Sequence, residues 1–394
     1  MPTELPRPWA GLSASRRVSC RMPDTLNNLK RLTELEATQS DYKLATSIQS
    51  NVPHYDLSSP TFSHSAITND LQEEWYQVLS TGPGVLILQN FFPDKRLLVQ
   101  VNNVFDIIIN REAAAPKGDH FASSGAYSRI WNSFQKHAEL DPASFVQYYA
   151  NKWLALISDT WLGPAYQITA QTNVVRPGGQ AQTVHRDYHL GFQSSEACAR
   201  FPSGMHIASQ FLTLQGAVAH SIMPVASGST RFLPFSQLLP EGYLAYRKPK
   251  IQAFFNGHWV SAPMKAGDAV FFNPALFHAA GENTTTDIHR IANLLQISSA
   301  FGQPMEHVNS IKMIRSCWDG LTILAKKDSD QTQACIDALA RGYPFPTNLD
   351  MRQPDSNGMA PSSEADILRE GLAQGWNTDQ VITALEQLQA DSKY

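Results

Sequence analysis

Between about Ala165 and Ala300 the chain breaks into short runs divided by glycine and proline, and this texture constrains the fold more than any other feature. The runs Tyr166–Val175, Ile207–Val218, Thr230–Pro234, Ala269–Asn273 and Arg290–Ser298 are rich in β-branched and aromatic residues. Several short strands with turn signals between them close into a barrel or a sandwich. On both sides the apolar spacing becomes helical. Asn69 or Asp70 caps a helix with Leu71, Trp75, Val78 and Leu79 on one face, stopped by Gly82-Pro83-Gly84. A buried strand is expected at Val85–Gln89, then a helix carrying Leu98, Val101, Phe105 and Ile108, then a single helix from Pro142 to Trp161. Downstream, Asp330 caps a helix that ends at Gly342 with Pro344 beyond, and two short helices follow. The first 65 or so residues read as a Pro/Ser-rich tail, one short helix after Asp24, and polar loop. The expectation is an α+β chain in which helical flanks pack on a central antiparallel barrel. Its parts are an N-terminal extension over 1–68, a barrel domain with its helical entry over 69–305, and a helical region over 306–394.

Composition narrows the function. Hydrophobic residues make up 43% of the chain and aromatic ones 10%, enough for a sizeable core and too much for a disordered chain. A net charge of −4 argues against a nucleic-acid protein, which needs a basic balance. No run approaches the ~18 apolar residues of a membrane helix. Cys20, Cys198, Cys317 and Cys335 form no C-x-x-C pair, so neither a disulfide framework nor a thiolate zinc site is expected, and a reducing compartment follows. The cytoplasm is the expected location. Arg7, Arg16, Arg17 and Arg21 echo a mitochondrial presequence, but Pro6 and Pro8 spoil the amphipathic helix it needs, and Ser392-Lys393-Tyr394 falls one residue short of the peroxisomal address.

One segment carries ligand chemistry. His185 and Asp187 form an H-x-D pair after the turn at Gly178-Gly179, and on an extended chain residues two apart point to one side. A third histidine from another strand would complete a 2-His-1-carboxylate triad, which holds Fe(II) on one face and leaves positions open. His54-Tyr55-Asp56 and His137-Ala138-Glu139 are rival patterns, but His54 precedes any expected barrel strand. For the third ligand, Gly267-Asp268 feeds the apolar run Ala269–Asn273, which leads to His278, and a further strand begins at Arg290. If those strands are antiparallel neighbours, Arg290 points into the barrel, where a guanidinium suits the far carboxylate of a dicarboxylate co-substrate. His258, His289 and His307 compete for the third position, but none has an arginine at that offset. Arg186, between the two ligands, is expected to point away from the metal into a surface salt bridge.

The blocks His185-Arg186-Asp187, Gly267-Asp268 through His278 to Arg290, and Gly228-Ser229-Thr230-Arg231-Phe232-Leu233-Pro234 resemble the phytanoyl-CoA dioxygenase family of Fe(II)/2-oxoglutarate-dependent oxygenases. Ser227, Phe235 and Gln237 depart from that family's pattern, and the resemblance covers roughly residues 70–305. It implies a double-stranded β-helix (a cupin-like jelly roll) with flanking helices at both ends. It also implies that His185, Asp187 and His278 hold Fe(II), that Arg290 binds 2-oxoglutarate, and that O2 completes the reaction, which oxidises a C–H bond and releases succinate and CO2. Related enzymes place polar side chains of the strand Tyr166–Val175 near the co-substrate, which makes Gln171 and Asn173 candidates. Tyr188, His189 and His220 are candidates for the substrate cleft, with loop packing or a structural histidine as the plainer alternative. Two rivals stand beside this reading: the same fold used for halogenation, desaturation, epimerisation or zinc hydrolysis, and a non-catalytic jelly-roll binding protein. Asp187 occupies the ligand position that an iron halogenase leaves to chloride. The substrate is expected to be a small or mid-sized metabolite, since no basic cluster suggests a CoA cradle, and the protein a monomer or homodimer.

Overall fold

Strand β3 (Val85–Gln89) shows how the sheet is built: Val85, Leu86, Ile87 and Leu88 are all buried, which needs packing on both faces. In this computed structural model, which describes residues 16–63, 67–112, 126–354 and 356–393, that strand sits inside an eight-stranded sheet. The other members are β1 (Ser47–Gln49), β2 (Val52–Asp56), β4 (Tyr127–Ile130), β5 (Gln167–Val175), β6 (Thr213–Ala219), β9 (Ala269–Phe272) and β11 (Arg290–Ser298), in the order β1-β2-β3-β9-β6-β11-β5-β4. A second sheet has the order β10-β7-β8, from β7 (Arg231–Leu233), β8 (Val260–Ser261) and β10 (Phe277–Ala279). Val85, Ile87, Ala217, Val270 and Phe272 of the large sheet form one apolar core with Phe232 of the small one, and the Phe232 and Phe272 rings meet edge to face with centroids 5.2 Å apart. Two sheets closed over a shared core make the jelly roll that was expected, with helices before and after it.

Several details differ from the sequence reading. The polar stretch before Ser65 contributes β1 and β2, because Val52, Pro53, His54 and Tyr55 are buried against β3. β2 pairs with β3 in parallel, so the large sheet is mixed and not wholly antiparallel. The run Ile207–Val218 begins in the helix Ser203–Ala208 and becomes strand only at Thr213. The helix expected from Pro142 to Trp161 is two helices, Pro142–Tyr149 and Lys152–Leu162, because the Asn151 side chain caps the second at the amides of Trp153 and Leu154. Asp328, and not Asp330, caps the helix Ser329–Leu339. Arg7, Pro6 and Pro8 of the presequence echo and Tyr394 of the C-terminal tripeptide lie outside the described residues.

The described residues divide into two compact units. The first unit comprises 16–63, 67–95, 126–129 and 172–295 and holds the jelly-roll core above. The second comprises 96–112, 130–171 and 296–393 and is mainly helical. In it, helix Ser310–Ala325 packs against Pro142–Tyr149, Ser329–Leu339 and Thr378–Asp391, and Trp318 donates its indole N–H to Trp376 O at 3.0 Å. His137, part of the rival H-x-E pattern, is fully buried in this unit among Phe105, Phe145, Tyr148 and Tyr149, with Nε2 2.8 Å from Ser144 Oγ. Burial pushes its pKa down to about 4, so it is a neutral core histidine. Among the described residues, no helix is long and apolar enough to cross a membrane.

Candidate metal centre

The segment 182–187 lies beside β10 and makes one antiparallel bridge to it, His185 opposite His278, outside the three strands of the small sheet. His185 N donates to His278 O at 3.0 Å, His278 N returns a bond to His185 O at 3.1 Å, and Asp187 N reaches Pro274 O at 2.9 Å. The two-residue period of extended chain then sorts the side chains. His185 and Asp187 project to one face, where His278 of β10 meets them. Val184 joins the apolar cluster on the other face, with Phe277 and Ala279.

One potential ligand atom from each of His185, Asp187 and His278 lies within 4.8 Å of the others. His185 Nε2 is 3.7 Å from one Asp187 carboxylate oxygen, and His278 Nε2 is 3.4 Å from the second. With bonds to a metal of roughly 2.1 Å, adjacent ligands on one ion stand roughly 3 Å apart, and both histidine–carboxylate separations lie within about 1 Å of that spacing. The ring orientations are held from behind. His185 Nδ1 lies 2.8 Å from Thr183 O, and His278 Nδ1 lies 2.9 Å from Leu276 O, in each case the carbonyl two residues earlier. A carbonyl only accepts, so each Nδ1 donates to it, and each Nε2 is left facing Asp187. Burial also pushes the His185 pKa down, which keeps it neutral and able to bind a cation. Burial alone would raise the Asp187 pKa, but the two imidazoles and the Gln215 amide outweigh it and hold the carboxyl below its usual range. Gln215, on β6, donates to Asp187 Oδ2 at 2.6 Å. Sequence reasoning missed this residue; its signal is a lone amide among the mainly apolar residues of β6.

Among the described residues, the other candidate histidines do not join the site. His54 is buried in β2, His289 and His307 are exposed, and His258 stacks on Phe254 at 4.0 Å with Nδ1 2.8 Å from Phe254 O. Immediately after Asp187 the backbone is strained: Tyr188 and His189 both have positive φ, 70° and 45°. This turn closes on Gly191, where a Cβ would stand 2.1 Å from Arg186 O, so only glycine fits. Tyr188 is buried, its ring edge-on to His189 and Phe192, and His189 Nε2 is 3.4 Å from Thr213 Oγ1. His220, also buried, follows β6, and its backbone N–H bonds to Ile291 O at 2.9 Å.

Arg290 opens β11 and is only 4% exposed. No ion pair forms to it among the described residues, and its Nε finds no hydrogen-bond partner there. Burial pushes its pKa down to about 10, partly offset by Tyr127. Asn173 on β5 is likewise buried, and its amide oxygen is without a partner among the described residues. Gln171 belongs to the second unit, where its amide donates to Met305 Sδ at 3.2 Å. Arg186 does point away from the ligands, but the expected surface salt bridge is absent: the residue is 1% exposed and donates to the carbonyls of Ser236 and Leu239.

A jelly roll that gathers two imidazoles and one carboxylate from two neighbouring segments of backbone has the donor set of a mononuclear 2-His-1-carboxylate metal protein. The description of the phytanoyl-CoA dioxygenase (PhyH) family matches residues 81–292, and the chain belongs to that family. It is similar to dioxygenase trt7 of Aspergillus terreus, with 29% identity over 47% of this chain and 57% of that protein. It is also similar to dioxygenase olcK of Penicillium canescens, with 25% identity over 65% of this chain and 79% of that protein. The match to trt7 thus spans little more than half of that relative's length. Among solved structures, the non-heme alpha-ketoglutarate-dependent epimerase SnoN aligns over 60% of this chain and 85% of its own at 16% identity and a TM-score of 0.42. The carbocyclase SnoK aligns over 59% and 86% at 17% identity, with the same TM-score.

Proposed function

We propose that this chain is an Fe(II)/2-oxoglutarate-dependent dioxygenase that oxidises, most simply by hydroxylation, a C–H bond of a small or mid-sized metabolite. The observation that carries the reading is the convergence of His185, Asp187 and His278, with both imidazole Nε2 atoms facing the carboxylate. The donor set fits iron: two imidazoles and one carboxylate suit a divalent first-row metal and leave coordination positions open. The dicarboxylate fits as well, since Arg290 is a buried guanidinium without an acid partner among the described residues, and Asn173 offers a buried amide. When bound, the metal, 2-oxoglutarate and O2 supply the oxidising chemistry, with succinate and CO2 as co-products.

The chain's own residues bind and orient. His185, Asp187 and His278 hold the metal, and Gln215 keeps the Asp187 carboxylate turned toward the histidines. Arg290 pairs with the far carboxylate of 2-oxoglutarate, with Asn173 as a second polar contact; the Gln171 amide is already engaged by Met305. Tyr188, His189 and His220 are proposed to line the substrate side. The functional domain is taken as 69–305, with 1–68 as an extension and 306–394 as a helical region, in a monomer or homodimer. Four free cysteines accord with a cytoplasmic location.

The test measures iron per chain and oxygen-dependent 2-oxoglutarate consumption in wild type, His185→Ala, Asp187→Ala and, as control, His54→Ala. Iron should fall in the first two variants and stay in the control; unchanged iron and turnover in both site variants would refute the assignment. Iron without 2-oxoglutarate turnover would favour the non-catalytic reading, and product analysis separates hydroxylation from desaturation or epimerisation.

A further inference from the structure

We propose that Arg186 is a positioning residue for the metal centre, a buried strut that sets the spacing between the His185/Asp187 segment and the His278 strand. The inference rests on the metal-binding reading above. Between two ligands, a side chain facing the core would ordinarily be apolar, and a charged group there is expensive unless it is compensated. Arg186 makes no ion pair within 4.0 Å among the described residues, and the Glu241 carboxylate favours its charge only from farther off. Instead its Nη2 donates to the carbonyls of Ser236 and Leu239, the latter at 3.0 Å, and its guanidinium carbon lies 4.8 Å from the Phe277 ring centroid and 5.1 Å from that of Tyr243. Cation–π contact and carbonyl acceptors together replace the lost hydration.

Those contacts join the structures that carry the ligands. Phe277 is the residue before His278. Its N–H donates to Ser236 Oγ at 2.8 Å, while Ser236 O accepts from Arg186. Ser236 therefore receives one bond from the segment that carries His185 and Asp187 and another from the strand that carries His278. The space around the guanidinium is also shaped for it: a Cβ on Gly242 would stand 1.8 Å from Arg186 Cζ and 2.0 Å from Nη1. An apolar residue could fill this volume, but it could not hold Ser236 and Leu239 by directional bonds. Arg186 thus acts behind the ligands, as groups that orient metal ligands commonly do.

Electrostatics and positioning predict opposite signs. Any field that the Arg186 charge exerts on the centre opposes cation binding, so on electrostatics alone its removal would not weaken metal binding. A positioning role predicts the reverse. Co(II) titrated into the metal-free wild type, Arg186→Met, Arg186→Lys and Gly242→Ala gives the dissociation constant and the ligand-field absorption, and melting of each metal-free protein reports folding. We expect Arg186→Met and Gly242→Ala to weaken Co(II) binding by ~10–100-fold, in the range seen when orienting groups are lost. Arg186→Lys should fall between, because an ammonium keeps the charge without the planar fork. Should Arg186→Met not fold, Arg186→Lys carries the test, with the same direction expected. A folded Arg186 variant with the wild-type dissociation constant and spectrum, or with tighter binding, overturns the inference alone. A wild type that takes up no Co(II) overturns the metal-centre reading and this inference with it.

Discussion

Replacing Arg290 by alanine tests how the chain recognises its co-substrate. The guanidinium is 4% exposed, and burial lowers its pKa from 12.5 to about 10. At 1.36 kcal/mol per unit this corresponds to about 3 kcal/mol of unfavourable charge burial, which no acid among the described residues relieves. A carboxylate seated against the guanidinium would recover much of that cost, and charged hydrogen bonds are individually worth ~1.5–3 kcal/mol. Loss of Arg290 should therefore weaken 2-oxoglutarate binding by roughly ten-fold to more than a hundred-fold, while iron stays bound because its ligands are untouched. Arg290→Gln should behave like alanine, and Arg290→Lys should recover only part of the affinity, because it lacks the bidentate fork. Anaerobic titration of 2-oxoglutarate into iron-loaded protein, followed by the charge-transfer absorption of the complex, gives the affinity directly. A folded Arg290→Ala protein that binds 2-oxoglutarate like wild type would show that another cation, or another co-substrate, is used.

Gln215→Leu removes the amide that donates to Asp187 Oδ2, and metal affinity should drop by about ten-fold or more in competition with a chelator. Because Asp187 fills the position that chloride would need, turnover in excess chloride or bromide should give no halogenated product by mass spectrometry. The third expectation concerns pH and stability at His137, whose folded pKa of about 4 lies below the ordinary 6.5. The unfolded chain binds the proton more tightly, so this histidine's contribution is fully present above pH 6.5 and is lost as pH falls from there toward 4. At pH 5 the loss is about 2 kcal/mol. Denaturant midpoints at pH 5 and 7.5 should therefore differ more in wild type than in His137→Leu, and equal differences would refute the assignment.

The sequence by itself determined the local order of the chain and the kinds of side chain available for chemistry. Amphipathic spacing announced the helices Thr68–Ser80 and Lys95–Glu112, and β11 begins and ends at Arg290 and Ser298 as its apolar run predicts. The H-x-D pair was legible because two ligands on one extended segment share a side without any tertiary help. His278 was legible only as one of several histidines until its surroundings were weighed. Tertiary structure alone decided that its strand lies beside His185 and that both Nδ1 atoms rest on backbone carbonyls. It also decided that Gln215 reaches Asp187 and that Gln171, within the mainly helical unit, turns to Met305. Arg186 shows the limit most clearly. Its direction follows from alternation, but whether that direction leads to solvent or core depends on Ser236, Leu239, Gly242 and Tyr243, far along the chain. The N-terminal strands failed for the same reason: Val52 and Tyr55 look unremarkable in a polar stretch until β3 gives them a partner. Periodicity is a property of contiguous residues, whereas burial and register belong to pairs that only folding brings together.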